Sequence, residues 1–370
     1  MNRYSRELPL LKVGREVLFV KTDDTDVRCG EGAFIRRTDG AILHVYTRFS
    51  GGDIKDHGKA NLAAVISYDL GETWEDHGVI LPCPEDAVNL MSVSCLRLPD
   101  DEILLFYMKK TLENGTIICR PHVRSSFDEC ESFGEERCLV EKDTRYYILN
   151  NDRVIQLSSG RILVPLAFRD TAGEKAPEGA HVVYLASDSG GKTWDRLPTE
   201  HQMPFENLRG FEEPGLYQHE DGLVWGYYRT NIGCQFETVS SDGGETWSTP
   251  KPNVFFTGAR SPMLVKKACG FTCAVFNPIS LYTGRNLGGI RGRAPFLLAV
   301  SDTDGATRDE KSFTRLFFLE DDMDNDYSYP AILDLGDAML VAYYHSDGRA
   351  RPLNRLKIVK VKKEELISAE

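Results

Sequence analysis

The sequence predicts an all-β fold, a six-bladed β-propeller with four antiparallel strands per blade. Two repeats and one absence predict it. The first repeat is a turn phrase, S-x-D-x-G-x-T-W. It is intact at Ser67-Tyr68-Asp69-Leu70-Gly71-Glu72-Thr73-Trp74 and at Ser240-Ser241-Asp242-Gly243-Gly244-Glu245-Thr246-Trp247. Ser187 to Trp194 lacks only the Asp, Ser126 to Phe133 keeps Ser, Asp and an aromatic, and Ser301 to Thr307 has lost the Trp. The copies begin at 67, 126, 187, 240 and 301. A period of about 60 residues means an array of similar units. The second repeat is an apolar strand, a turn and another apolar strand. The absence is of any sustained helical period before the tail Lys362 to Ile367.

The six hairpins follow in order. They are Phe34 to Tyr46 around Gly40, Cys95 to Tyr107 around Asp101, Val154 to Phe168 around Gly160, Leu216 to Tyr228 around Gly222, Met263 to Phe276 around Gly270, and Ile332 to Tyr344 around Gly336. Apolar runs bounded by Gly, Asp and Asn read as β-hairpins. Each turn phrase adds local order: Ser and Asp bond nearby backbone groups, and Gly supplies a positive φ. The Trp offers a large apolar face to the next unit. The phrase therefore builds structure rather than chemistry. Leu356 to Val361 is a late strand that can pair with N-terminal strands and close a ring, leaving no long edge. Hairpins and phrases account for nearly all of residues 1–370, so one domain is expected.

Composition narrows the function classes. The chain has 370 residues, 41% hydrophobic and 27% charged, and a formal net charge of −12. These are ordinary values for a globular protein, and the acidic balance argues against a nucleic-acid partner, which needs a positive field. There is no apolar segment of membrane-spanning length. Met1 to Glu16 is charged and lacks an apolar signal core, so a cytoplasmic location is expected. Nine Cys are scattered among apolar neighbours, without metal-ligand spacing, and read as reduced structural thiols.

Hairpin geometry predicts where chemistry sits. Residues equidistant from a turn lie side by side in an antiparallel pair. Nine residues before the turn landmarks stand Glu31, Ser92, Asn151, Glu213, Ser261 and Tyr327. Seven to nine after them stand Arg48, Lys109, Arg169, Arg229, Asn277 and His345. Both sets fall at the same end of their hairpins. If the first strands line the central axis, these residues converge on one polar face there. The bland alternative is that strand ends meet solvent and are polar for that reason alone.

With these repeats the sequence resembles the sialidase superfamily, whose members carry such Asp-box phrases on a six-bladed propeller. The resemblance covers almost the whole chain, but the phrases say nothing about activity, which must rest on pocket residues. It implies a retaining exo-glycosidase for a terminal α-ketosidic sugar acid, with three arginines around the substrate carboxylate, an Asp acid/base and a Tyr-Glu pair. Glu213-Pro214-Gly215, followed by Tyr228-Arg229, resembles the family's Glu-Pro segment leading to its second arginine. Glu213 then partners the Tyr, with Glu212 as competitor, and Arg229 clamps the carboxylate. Asp326-Tyr327-Ser328-Tyr329 resembles the late Tyr-Ser motif, making Tyr327 the expected nucleophile and Tyr329 the fallback. Arg293 fits the third arginine better than Arg291. Arg28 fits the first, 20 residues before Arg48, although the family's usual Arg-Ile-Pro is here Arg28-Cys29-Gly30-Glu31. Glu31 is an unusual carboxylate beside an anion site. Asp56, in the loop before Leu62 to Ile66, is preferred over Asp53 as the acid. Arg48, Asn151 and Arg260 complete the expected substrate-binding set.

The residue types suit the chemistry. Guanidinium groups bind a carboxylate bidentately and stay charged. A neutral Tyr avoids repulsion between that carboxylate and a carboxylate nucleophile, an exception among glycosidases. A base such as Glu213 must activate it. The partner expected is an acidic sugar or glycan, and no metal or cofactor is needed. Two rivals remain: another carbohydrate-active enzyme on this fold, for a different acidic sugar or a lyase, and a non-catalytic sugar-binding propeller.

Overall fold

The computed structural model describes residues 10–141, 143–170, 179–207, 209–257, 261–278, 293–303, 313–346, 348 and 353–367. Its elements are strands apart from one short helix. After β1 (Arg15–Val20), a four-stranded antiparallel sheet runs β2 (Asp26–Arg36), β3 (Ile42–Ser50), β4 (Ala60–Ser67) and β5 (Glu75–Leu81). The next strands are β6 (Ala87–Arg97), β7 (Ile103–Glu113), β8 (Thr116–Ser126) and β9 (Arg137–Cys138), then β10 (Tyr146–Ile148), β11 (Ile155–Gln156), β12 (Ile162–Arg169), β13 (His181–Ser187) and β14 (Asp195–His201). These nine form one sheet. Two expected four-strand units are joined here because β10 pairs antiparallel with β12 and touches β8 in parallel at Tyr146↔Cys119. Pro165 of β12 lies between the stretches matched by β11 and by β10. It stands where the strand lacks a ladder partner on that side, a position that tolerates a residue without an N–H.

Two four-stranded sheets follow: β15 (Glu212–Gln218), β16 (Val224–Arg229), β17 (Cys234–Ser240) and β18 (Lys251–Thr257); and β19 (Leu264–Ala268), β20 (Phe271–Phe276), β21 (Phe296–Ser301) and β22 (Arg315–Glu320). The last sheet joins both ends of the described chain. β23 (Tyr327–Asp334), β24 (Ala338–Ser346) and β25 (Leu353–Lys362) are completed by β1, which pairs antiparallel with β25, so the expected late strand does meet the N-terminal one. The tail forms α1 (Lys363–Ile367).

The core is divided among neighbouring units. Leu43 and Val45 of β3 pack with Leu105 and Tyr107 of β7, and Phe106 of β7 packs with Val164 of β12. Tyr184 joins Leu216 and Phe236, Trp225 joins Val265 and Phe276, Val275 joins Val341, and Leu340 joins Ile42 and Val65. Packing on both faces explains why β12 is buried at every residue rather than at alternate ones. Outer strands are less covered: β5 has no buried residue and β14 only two.

The turn phrases link third strands to fourth strands. Gly71 and Gly191 have φ of 82° and 80°. A Cβ there would also lie 2.8 Å from a Leu340 methyl of the last sheet and 2.6 Å from a Leu104 methyl of β7. The Gly of the phrase thus serves the turn and the close packing together. The fifth phrase lies partly outside the described residues. All nine Cys are free thiols.

Candidate active site

Four first strands carry the same local defect. β2, β6, β15 and β23 shift register between Gly30/Ala33, Met91/Ser94, Glu212/Gly215 and Ser328/Ala331. Inside each shift one non-Gly residue adopts left-handed backbone: Glu31 (φ 54°), Ser92 (58°), Glu213 (46°) and Tyr329 (59°). A bulge re-aims a side chain, and strain of this kind gathers at functional sites. All four side chains line one cavity of ≈ 390 Å³, with Asp56, His57, Lys110, Tyr146, Asn150, Arg169, Arg209, Glu212, Arg229 and Arg293. That volume lies within the range of about 300–1,000 Å³ common for ligand clefts.

The aromatic end of the cavity is a hydrogen-bonded chain. The Tyr329 hydroxyl donates to Glu213 Oε1 at 2.9 Å, and Arg229 Nη1 donates to Glu213 Oε2 at 2.6 Å. The Arg293 guanidinium carbon lies 5.5 Å from the Tyr329 ring centre. Burial pushes the Tyr329 hydroxyl above its ordinary value, and the Glu213 carboxylate pushes the same way, against Arg293 and Arg229. Tyr329 is therefore neutral in the free protein. Burial also lowers Arg293. It opposes the charge of Arg229 as well, but there Glu213, Tyr329 and Glu212 outweigh it and the pKa is raised. Arg293 is set by its backbone: its N–H donates to Asp326 Oδ1 at 3.0 Å, and its carbonyl accepts from Tyr327 N at 3.0 Å.

The opposite wall is built on Arg28. Its Nε donates to the Tyr344 hydroxyl at 2.9 Å, Nη2 to Glu31 Oε1 at 2.8 Å and Nη1 to Asp56 Oδ1 at 2.6 Å. Ser92 Oγ donates to Glu31 Oε2 at 2.6 Å. Burial raises Glu31, against the pull of Arg28 and the Ser92 hydrogen bond. For Asp56 desolvation also pushes upward, but Arg28 and Lys110 outweigh it and hold the carboxyl at about 2.

The expected residues therefore divide. Glu31, Asp56, Glu212, Glu213, Arg229, Arg293 and Tyr329 line the cavity, and Arg28 braces it through Glu31 and Asp56. Between the two acids, Glu213 meets Tyr329, whereas Glu212 bonds Arg169 and Arg209. Tyr327 is a correction. It is fully buried, its hydroxyl donates to the Asp322 carbonyl at 3.2 Å, and it does not line the cavity. The reason is the turn. In four hairpins the landmark closes a turn, as Gly40 N bonds the Arg37 carbonyl. In the last hairpin Leu335 N bonds the Ala338 carbonyl, so Ala338 takes that place and Gly336 stands two residues earlier. Nine residues before Ala338 is Tyr329.

Arg48 is a second correction. It turns outward to Tyr46 and Asp76, while its neighbour Thr47 faces inward and accepts from Ser92 N at 3.0 Å. One residue of slip reverses the face of a strand. Asn151 is a third. It is buried, and its amide donates to the carbonyls of Gly32, Pro330 and Tyr329, stitching two bulges rather than facing the cavity. Arg260 lies outside the described residues.

Sequence reasoning passed over Lys110, Tyr146, His57 and Arg209. Lys109 and Lys110 point to opposite faces of β7; the count from the turn reaches Lys109, which bonds Glu136, while Lys110 lines the cavity. Arg209 stands in a loop with no periodic signal. Among the described residues no three His, Cys, Asp or Glu side chains are grouped as metal ligands.

The profile of the BNR repeat-like domain matches residues 83–342. The chain belongs to the BNR repeat-like domain family. Over 97 residues the chain is 32% identical to an anhydrosialidase of Macrobdella decora, which covers 26% of this chain and 11% of that protein. A solved protein of unknown function from Dyadobacter fermentans shares the fold with a TM-score of 0.72 at 18% identity, over 94% of this chain and 99% of that one. A leech intramolecular trans-sialidase, complexed with 2,7-anhydro-Neu5Ac, gives a TM-score of 0.72 at 15% identity, over 95% of this chain and 70% of that one. This BNR repeat-like chain thus has a sialidase-like fold.

Proposed function

We propose that this protein is a retaining exo-glycoside hydrolase that releases a terminal α-ketosidic sialic acid or a related sugar acid. The observation that carries the reading is the Tyr329–Glu213–Arg229 chain, with Arg293 over the Tyr ring. Tyr329 is neutral and has a carboxylate within hydrogen-bond reach of its proton, which is what an activated Tyr nucleophile needs. Arg28, Arg229 and Arg293 supply the guanidinium groups for the sugar carboxylate. Asp56 is the acid that protonates the departing oxygen and then, as a base, activates water.

The scaffold we infer is a single six-bladed propeller. Six apolar clusters, each shared by sequence-neighbouring units with the last unit meeting the first, support that arrangement. Contacts of β2 with both β6 and β23 support it too. The names of the anhydrosialidase and of the leech trans-sialidase support the sugar class. A panel of aryl α-ketosides of sialic acid and related sugar acids tests the reading on wild type and Tyr329→Phe. Turnover that is lost in the variant is expected. Turnover that survives it contradicts the nucleophile. No turnover on any member, with binding retained, favours a sugar-binding propeller. Product analysis separates a free sugar acid from an intramolecular anhydro-sugar or an elimination product.

A further inference from the structure

Arg28 is already engaged. Its three nitrogens meet Tyr344, Glu31 and Asp56, and Nη1 also donates to the Ile54 carbonyl at 3.3 Å, so its guanidinium has carboxylate partners before any substrate arrives. The two carboxylates are held very differently. Glu31 has a side-chain exposure of 4% and a second bond from Ser92, whereas the Asp56 side chain is 64% exposed. The backbone around Asp56 is pinned. Its carbonyl accepts from Lys110 Nζ and from Asn89 Nδ2 (3.0 Å), and Asn89 also holds the Gly58 carbonyl at 2.8 Å. Lys110 and Asn89 are themselves buried. The Asp56 carboxylate can therefore leave Arg28 by rotation about its own side-chain bonds while its Cα stays in place.

We propose that Asp56 is a placeholder for the substrate carboxylate on Arg28, that the arriving sugar acid displaces it, and that this exchange releases Asp56 as the acid of the reaction. Lys110 and Asn89 are positioning residues that keep its backbone at the cavity during the exchange. The inference rests on the sialidase-like reading above and adds a coupling between binding and activation. The charges around Asp56 fit it. Arg28 and Glu31 face it from β2, Lys110 from β7, and His57 stands beside it. Cys119 of β8, Tyr146 of β10 and Tyr344 of β24 also feel its charge. With Arg28 turned to the substrate, the Asp56 carboxylate faces one fewer cation, and it takes up a proton from solvent more readily. An ion pair that held the acid ionised is exchanged for one that holds the substrate.

The test is calorimetric binding of the 2,3-didehydro derivative of sialic acid and of its methyl ester to wild type and Asp56→Asn. Removing the placeholder is expected to tighten binding of the free acid by about fivefold, the upper range for a partly exposed ion pair. The ester, which cannot compete for Arg28 as an anion, gains nothing. Binding of the acid to wild type takes up protons, read from buffers of different ionisation heat, and the uptake shrinks in the variant. Equal or weaker binding of the acid to Asp56→Asn, with wild-type binding intact, overturns the exchange and leaves the sugar-acid reading standing. Binding to neither protein overturns both.

Discussion

Asp56 and Asp69 are both held at about 2, for opposite reasons. Asp69 sits in a turn phrase at the solvent face. The Thr73 hydroxyl donates to its Oδ2 at 2.6 Å, the Thr73 N–H to its Oδ1 at 2.9 Å, and Ser67 and Glu72 add further bonds. All these partners lie within the same short segment, so Asp69 can lose them only if the turn itself opens. Asp56 depends instead on Arg28 and Lys110, from two other strands, against its own desolvation. The proposed exchange takes one of those partners away without opening any turn. The repeated phrase is closed chemistry that shapes the fold, while the cavity draws its partners from several strands, as the proposed exchange requires.

Substitutions should separate the two regions. The largest effect is expected at Tyr329. Tyr329→Phe should lower kcat/KM by more than about a thousandfold, whereas Tyr327→Phe, which loses only a bond to a carbonyl, should stay within about tenfold. Steady-state kinetics on an activated aryl ketoside checks both, and equal losses would erase the distinction drawn here. Next comes Asp56→Ala, expected to cost about a hundredfold or more, most on substrates with poor leaving groups. Insensitivity to the leaving group would remove Asp56 from the acid role.

A smaller effect is expected from Glu31→Gln. Burial raises the Glu31 carboxyl, so protonating it takes a like charge away from the incoming carboxylate. Affinity for a sugar acid should therefore rise as pH falls through the Glu31 pKa, and the variant should flatten that rise. A wild-type slope that persists in Glu31→Gln assigns it to another group. The smallest effect is at the turn. Asp242→Ala breaks bonds to Thr246 and Ser240. It should lower the unfolding free energy by about 1 kcal/mol, seen as a shifted denaturant midpoint, with kcat/KM unchanged within about twofold. A loss of activity without a loss of stability there would contradict the structural role of the phrase.

Much of this was legible in the residues. Period, hairpins and turn chemistry are local, so the phrases at Ser67 and Ser240 and the pairing of the late strand could be read directly. The site was legible where a bulge obeyed the common count, as at Glu31, Ser92 and Glu213. It failed at Tyr327 because the last hairpin turns one residue sooner, a backbone detail that Gly336 does not announce. It failed at Arg48 and Lys110 because strand facing reverses with each residue, and bulges shift it again. The Arg28–Asp56 pair was not legible at all, since it depends on the path of a loop.

The most direct test of the central claim is to trap the intermediate. A 2,3-difluoro sialic acid should label the protein, and mass spectrometry of the digested adduct should place the sugar on Tyr329. A label on Tyr327 or on a carboxylate, or no label from a sugar acid that the protein does turn over, would contradict the account.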